Sequence, residues 1–183
     1  DRVVLVDSTL LPLLDQVRSK ICVRHIVVLD GECLDGQIPY QQLLASADPS
    51  RVVDQDHDKD SAAALCYTSG TTGRPKGVVY SHRAIVLNVE MTALMHVRTA
   101  TDTMVSALPC SHVYGNVALQ SLFAHGGTVV LHRSFDAQAV LDSIERHRAT
   151  MFEGVPTMYF YLLNHTGLGT RDLSSLTRCT VGA

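Results

Sequence analysis

Residues 67–78 read Tyr-Thr-Ser-Gly-Thr-Thr-Gly-Arg-Pro-Lys-Gly-Val, a run whose glycines and proline break regular structure and force a loop. An apolar run over residues 62–67 leads into it and predicts a buried strand. A short β-prone run over residues 78–80 leads out, with a helix expected from about His82. Gly70, Gly73 and Gly77 let the backbone take positive φ and approach a ligand closely, while Thr68, Ser69, Thr71 and Thr72 offer hydroxyls and Lys76 a mobile positive charge. Amides, hydroxyls and an ammonium that converge in this way suit a polyphosphate. The alternative for any Gly/Ser/Thr-rich stretch is a hairpin turn without a ligand. The spacing excludes a Walker A loop, which needs a four-residue gap and a Lys-Ser/Thr ending, and a dinucleotide fingerprint, which needs Gly-x-Gly-x-x-Gly opening a helix.

On either side of the loop, β-like and helix-like segments alternate. Strands are expected at residues 3–6, 25–29, 103–108, 128–131 and 150–153, and another beginning near Cys179; helices at 10–18, 82–97, 112–124 and 156–163. Asp136 is placed as the N-cap of a further helix carrying Val140, Leu141 and Ile144, with Phe135 and Val140 as a hydrophobic staple, and Pro156 suits a first helical turn. This order predicts the α/β class, with a mainly parallel sheet flanked by helices. The 82–97 helix is apolar around much of its circumference and is expected to be well buried, with Met91 and Met95 as core filler. Residues 46–61 read as a solvated acidic linker ahead of the phosphate loop, which spans 67–78. A calcium loop starting at Asp54 is excluded, because Lys59 and Leu65 stand where glycine and glutamate are required.

The 15 Lys+Arg are scattered and the net charge is -3, so no nucleic-acid surface is expected. No apolar stretch approaches the ~20 residues of a membrane span, so no transmembrane segment is expected and the cytoplasm is the default, with peripheral membrane contact open. The five cysteines include no Cys-x-x-Cys pair; they are expected as reduced thiols filling small core positions, with neither disulfides nor zinc. Asn164-His165-Thr166 matches a glycosylation sequon that lacks a secretory context.

The string from Ala64 through Thr68-Ser69-Gly70-Thr71-Thr72-Gly73-Arg74-Pro75-Lys76-Gly77 to Arg83 resembles the signature loop of the adenylate-forming superfamily, above all its fatty acyl-CoA synthetase branch. Leu108-Pro109-Cys110-Ser111-His112-Val113-Tyr114-Gly115 is similar to a second motif of that superfamily, Gly154-Val155-Pro156-Thr157-Met158-Tyr159 to a third, and Val181-Gly182-Ala183 to the start of a Gly-Gly-Ala-Pro segment. The resemblance implies that residues 1–183 form part of the layered N-terminal AMP-binding domain, with a mobile C-terminal domain outside them. It implies a two-step reaction: a carboxylic acid and ATP give an acyl-adenylate, which then passes its acyl group to coenzyme A.

Carried over by motif position, Thr68, Ser69, Gly70, Thr71, Thr72, Gly73, Lys76 and Gly77 bind the ATP phosphates, and Thr68 contacts Mg2+. Lys76 and His112 are the implied catalytic residues. His112, Tyr114, Gly154, Val155, Gly182 and Ala183 line the substrate and adenine pockets. Ser111 departs from the family pattern, which tends to a bulky aromatic there, and Tyr114 is expected to fill some of that space. An aryl-CoA ligase and a carrier-protein-loading adenylation domain remain open within the enzyme class. A non-catalytic nucleotide-binding module also remains open, because the family's ribose-binding aspartate, magnesium glutamate and C-terminal lysine have no counterpart in these residues. The 183 residues alone are expected not to form acyl-adenylate.

Overall fold

The computed structural model describes residues 2–53, 56–68 and 73–182. The chain divides into two units between Asp56 and His57, inside the acidic 46–61 stretch. In the first, β1 (Val3–Val6), α1 (Leu11–Val17), β2 (His25–Val28), β3 (Ile38–Pro39) and α2 (Tyr40–Ala45) follow in order, and the strands form a parallel sheet β1-β2-β3. Val6, Leu11, Ile26 and Val28 make its core. The two-residue β3 carries no periodicity that a sequence reading can detect. It exists because Val27 and Val28 offer ladder partners to Ile38 and Pro39.

The second unit begins with an antiparallel hairpin, β4 (Ala62–Thr68) and β5 (Lys76–Ser81), followed by α3 (His82–Met95), whose first turn Ser81 caps by accepting from the Ala84 amide at 3.3 Å. Then come β6 (Thr103–Ser106), α4 (Val113–Phe123), β7 (Thr128–Leu131), α5 (Ala137–Arg146), β8 (Met151–Gly154), α6 (Pro156–Leu163) and β9 (Arg178–Val181). Their strands form a parallel sheet in the order β7-β6-β8-β9. Successive residues of a strand face opposite sides, and the core follows that rule. Val105 and Phe152 pack with Val140, Leu141 and Ile144 of α5 and Leu162 of α6, whereas Met104 and Met151 pack with Ala118 and Leu122 of α4. Burial of each of these side chains other than Ala118 stabilises the fold by roughly 1.5–3 kcal/mol. The capping expectations hold: the Asp136 carboxylate accepts from the Ala139 amide at 2.8 Å, and Phe135 packs against the cluster that contains Val140.

Arg178, the first residue of β9, ties the sheet to the turn after α3. It donates to the Asp102 carboxylate and to the carbonyls of His96 (2.9 Å) and Val97. Asp102 also accepts from the Thr99 amide at 2.8 Å and the Thr150 hydroxyl at 2.7 Å. α3 stops at a turn in which the Val97 amide donates to Leu94 O (3.2 Å) and the Arg98 amide to Ala93 O (2.9 Å), with Val97 at φ 50. These are the two bonds of a Schellman cap, here with valine where glycine is usual.

Three expectations are corrected. In α3 only Val89 and Ala93 are buried, while Met91 and Met95 are 60% and 74% exposed, since no described element covers their face. In β4, Leu65 and Tyr67 are exposed; the strand pairs with β5 alone, and an open cavity separates it from α3 and α4. None of the five cysteines is a core residue: Cys22, Cys110 and Cys179 are exposed, and Cys33 and Cys66 are half-buried.

Candidate functional site

The carboxyl ends of parallel strands are where open α/β sheets bind ligands, because the loops that leave them diverge into a crevice. At this edge β6 runs into residues 107–112 and α4, β8 into Gly154 and Val155, and β9 into Gly182. The sheet register sets Gly154 opposite Val181, and the Gly182 amide donates to Gly154 O at 3.3 Å. Tyr114 reaches across from α4 and donates its hydroxyl to Thr180 O at 3.3 Å. A Cβ added to Gly182 would come within 2.8 Å of the Tyr114 ring, so the ring lies directly on that glycine. His112, Tyr114, Gly154, Val155 and Gly182 are therefore gathered at one edge of one sheet. Ala183 lies outside the described residues.

The start of α4 is built by its own sequence. The His112 amide donates to Pro109 O at 3.0 Å, closing the turn before the helix, and His112 is the N-cap, its Nδ1 accepting from the Tyr114 amide at 3.2 Å. An imidazole that accepts at Nδ1 and is neutral carries its proton on Nε2, which leaves an N–H donor on an exposed ring. A Cβ at Gly115 would stand 2.3 Å from Pro109 O, so only glycine lets the first helical turn fold back onto the Pro109 turn.

Behind Tyr114 lies a group that sequence reasoning missed. Glu153, fully buried on β8, is ion-paired with the equally buried Arg98, and His96 Nδ1 stands 3.5 Å from the same carboxylate oxygen. Arg98 also donates to Ala118 O at 2.7 Å. The other carboxylate oxygen, Glu153 Oε2, has no hydrogen-bond partner among the described residues. Burial first, then the Glu153 charge and a hydrogen bond to it, push the Tyr114 phenol above its ordinary value. The available signal in the sequence was a glutamate inside an otherwise apolar strand, directly after Met151 and Phe152.

Asn88, Thr92, His96, Tyr114, Val117 and Glu153 border a cavity of about 320 Å³. A second cavity, of about 490 Å³, lies between the hairpin, α3 and α4; Leu65, Tyr67, Ile85 and Ser111 line it, and it shares Asn88, Val113 and Val117 with the first. The two adjoin along α3 and α4. The larger one touches the strand that runs into the phosphate loop.

Of that loop, Ser69, Gly70, Thr71 and Thr72 lie outside the described residues. The flanks are set by the hairpin: Thr68 is in register with Lys76, its hydroxyl 3.5 Å from Lys76 O, and Gly73 sits at φ 79. Thr68, Gly73, Lys76 and Gly77 are exposed, and among the described residues no carboxylate is ion-paired with Lys76. Among the described residues no group of three or more His, Cys, Asp or Glu is placed to hold a metal ion.

The AMP-binding enzyme family matches residues 1–183, and the chain belongs to it. A long-chain-fatty-acid–CoA ligase of Thermus thermophilus is 34% identical over 191 residues, covering 100% of this chain and 34% of the relative. An indoleacetate–CoA ligase of Aromatoleum aromaticum is 32% identical, covering 99% and 36%. Among solved structures, an anthranilate CoA ligase in complex with anthranoyl-AMP superposes with a TM-score of 0.88 at 26% identity, over 98% of this chain and 36% of that one. The chain thus spans about a third of the length of the relatives it matches. No helix among the described residues is long and apolar enough to cross a membrane.

Proposed function

We propose that this chain is the phosphate- and acyl-binding part of an AMP-forming acid–thiol ligase that activates a carboxylic acid with ATP and transfers the acyl group to coenzyme A. The observation that carries the reading is the sequence of residues 67–78, whose ends Thr68 and Lys76 are paired across the β4–β5 hairpin, in a chain whose whole length matches the AMP-binding family. A carboxylate oxygen attacks the α-phosphorus, the bond to the bridging oxygen breaks, and pyrophosphate leaves. The coenzyme A thiolate then attacks the acyl carbon, AMP departs, and the thiol proton goes to solvent.

In this reading the amides and hydroxyls of Ser69, Gly70, Thr71, Thr72, Gly73 and Gly77 hold the β- and γ-phosphates, and Lys76 meets the charge that grows on departing pyrophosphate. Thr68 gives one oxygen to the magnesium ion that accompanies ATP and neutralises phosphate charge. His112 points Nε2–H toward the acyl carboxylate, aligning it for in-line attack. Gly154, Val155, Gly182 and Ala183 form the floor and rim of the acyl and adenine site. The acyl chain runs into the adjoining cavities between α3 and α4, whose apolar lining by Leu65, Ile85, Val113 and Val117 supports an aliphatic acid. The indoleacetate-specific name of one relative favours an aryl acid as the second reading.

The test is ATP–pyrophosphate exchange by the whole enzyme across alkyl and aryl carboxylic acids, with coenzyme A and a carrier protein compared as acceptors. Exchange that depends on a carboxylate and falls about 10²-fold in Lys76→Ala is expected. Silence with every acid, or full activity in Lys76→Ala, overturns the reading. The 183 residues alone are expected to give no exchange.

A further inference from the structure

Two phenols converge on one carbonyl of β9. Tyr159 of α6 lies 2.8 Å from Thr180 O and 3.0 Å from Phe152 O, and Tyr114 of α4 reaches the same Thr180 O at 3.3 Å. Tyr159 makes the shorter contact, so Thr180 O is already served and Tyr114 is left with the longer, weaker bond. A phenol has one proton to donate, and a second acceptor stands beside Tyr114. Glu153 is the register partner of Thr180 on the neighbouring strand, and its side chain leaves the sheet on the face of Met151, two residues earlier, where α4 packs. Tyr114 and Glu153 border the same cavity, and after burial itself the Glu153 charge is what keeps the phenol above its ordinary value. An O–H bond to an ionised carboxylate is roughly twice as strong as one to a neutral carbonyl. Each carboxylate oxygen takes more than one donor, so the Arg98 guanidinium and the phenol do not compete for Glu153.

The ring that carries this hydroxyl has a place to keep. It lies on Gly182, where an added Cβ would come within 2.8 Å of two of its carbons, and on its other side is the cavity of about 320 Å³. A ring with space beside it keeps its contact with the glycine only if its far end is tied down. The tie runs from the Tyr114 hydroxyl to Glu153, and from Glu153 to Arg98, which donates to Ala118 O of α4 and is buried with it.

Building on the ligase reading, we infer that Glu153 is a positioning residue of the acyl site: held by Arg98, its carboxylate anchors the Tyr114 phenol and keeps the ring seated on Gly182 as a wall against the bound acid. Glu153 itself touches no substrate. Its removal frees the ring to swing into the cavity, and the acid loses a fixed surface to bind against.

The experiment is a cycle of variants in the whole enzyme, read as KM and kcat of carboxylate-dependent pyrophosphate exchange with acid and ATP varied separately. Tyr114→Phe keeps the ring and removes the hydroxyl. Arg98→Met/Glu153→Leu removes the anchor without leaving a buried charge behind. Each is expected to raise KM for the acid about tenfold, with a much smaller change in kcat and in KM for ATP. Combining them is expected to add little, within about twofold of either alone, because both cut the same tie. Glu153→Gln keeps the volume and an oxygen for Arg98 while removing the charge, and gives a second arm of the cycle if the double variant does not fold. A phenol that touches the acid directly would make the effects multiply, and a purely structural ion pair would leave KM for the acid unmoved in Arg98→Met/Glu153→Leu; either result overturns the inference. A rise in KM for ATP instead would place the ring against adenine and overturn it as well. All three leave the ligase reading standing, whereas activation of no carboxylate by the wild type removes that reading, and this inference with it.

Discussion

Arg98 and Glu153 are separated by 55 positions in the chain, and both side chains are fully buried where they meet between α4 and the sheet. Neither is tolerable there alone. Burial pulls the Arg98 guanidinium below its ordinary value, and the Glu153 charge works against that pull. Removing one partner leaves an uncompensated buried charge, whereas replacing both with apolar residues of similar volume removes charge and desolvation penalty together. Arg98→Met is expected to destabilise the protein by about 3–5 kcal/mol, and Arg98→Met/Glu153→Leu to recover most of that loss. Urea denaturation of the single and double variants checks this; a double variant no more stable than the single one would show that the pair does more than cancel charge.

The turn that delivers Arg98 to the core stores strain. Val97 holds φ 50, a region β-branched residues avoid, and it is 68% exposed, so its side chain gains little from burial. Val97→Gly removes the clash at the price of backbone entropy and is expected to be neutral to stabilising by about 1 kcal/mol, read as a rise in the urea midpoint. A clear loss of stability would mean that the valine side chain contributes contacts that outweigh its strain.

Asp102 sets an acid limit. Burial pushes its carboxylate up, but hydrogen bonds from Thr150, from the Thr99 amide and from Arg178 outweigh this and hold it below the ordinary value of 3.8. A carboxylate whose folded pKa is depressed stabilises the fold at pH above its unfolded value, and that contribution is lost as pH falls through the folded one. Asp102→Asn is therefore expected to cost about 1–3 kcal/mol near neutrality, with the gap to the wild type closing as the solution is acidified below 3.8. Stability profiles of the two proteins against pH test the sign. A gap that widens in acid would contradict it.

What could be read from the sequence was local. Ser81, Asp136 and Pro156 mark helix starts because capping chemistry lies within one turn, and α6 begins and ends where its proline and apolar run place it. The end of α3 was overshot, since a Schellman turn closed by valine lacks the glycine that announces it. Burial of α3 and β4 differs from expectation for another reason: an apolar face states what can be covered, not that it is, and Leu94 and Leu65 are exposed. Motif resemblance singles out the residues that the structure gathers at the carboxyl edge of the sheet, and their roles stay a proposal. Glu153 and Arg98 were missed, because nothing local in either residue names a partner 55 positions away.

His112 joins two roles that a substitution pair can separate. Its Nδ1 caps α4, and the same bond leaves Nε2–H as the donor proposed for the acyl carboxylate. Alanine removes both functions; asparagine keeps a side-chain acceptor suited to an N-cap but has no imidazole N–H at that reach. His112→Ala is expected to lose about 1 kcal/mol of stability, and His112→Asn to restore it. Carboxylate-dependent pyrophosphate exchange, by contrast, is expected to fall about 10²-fold in both, because loss of a donor aimed at the reacting group is not repaired by a cap. Recovery of the rate along with the stability in His112→Asn would reduce His112 to a helix cap and leave the alignment of the carboxylate to Tyr114 and the sheet edge.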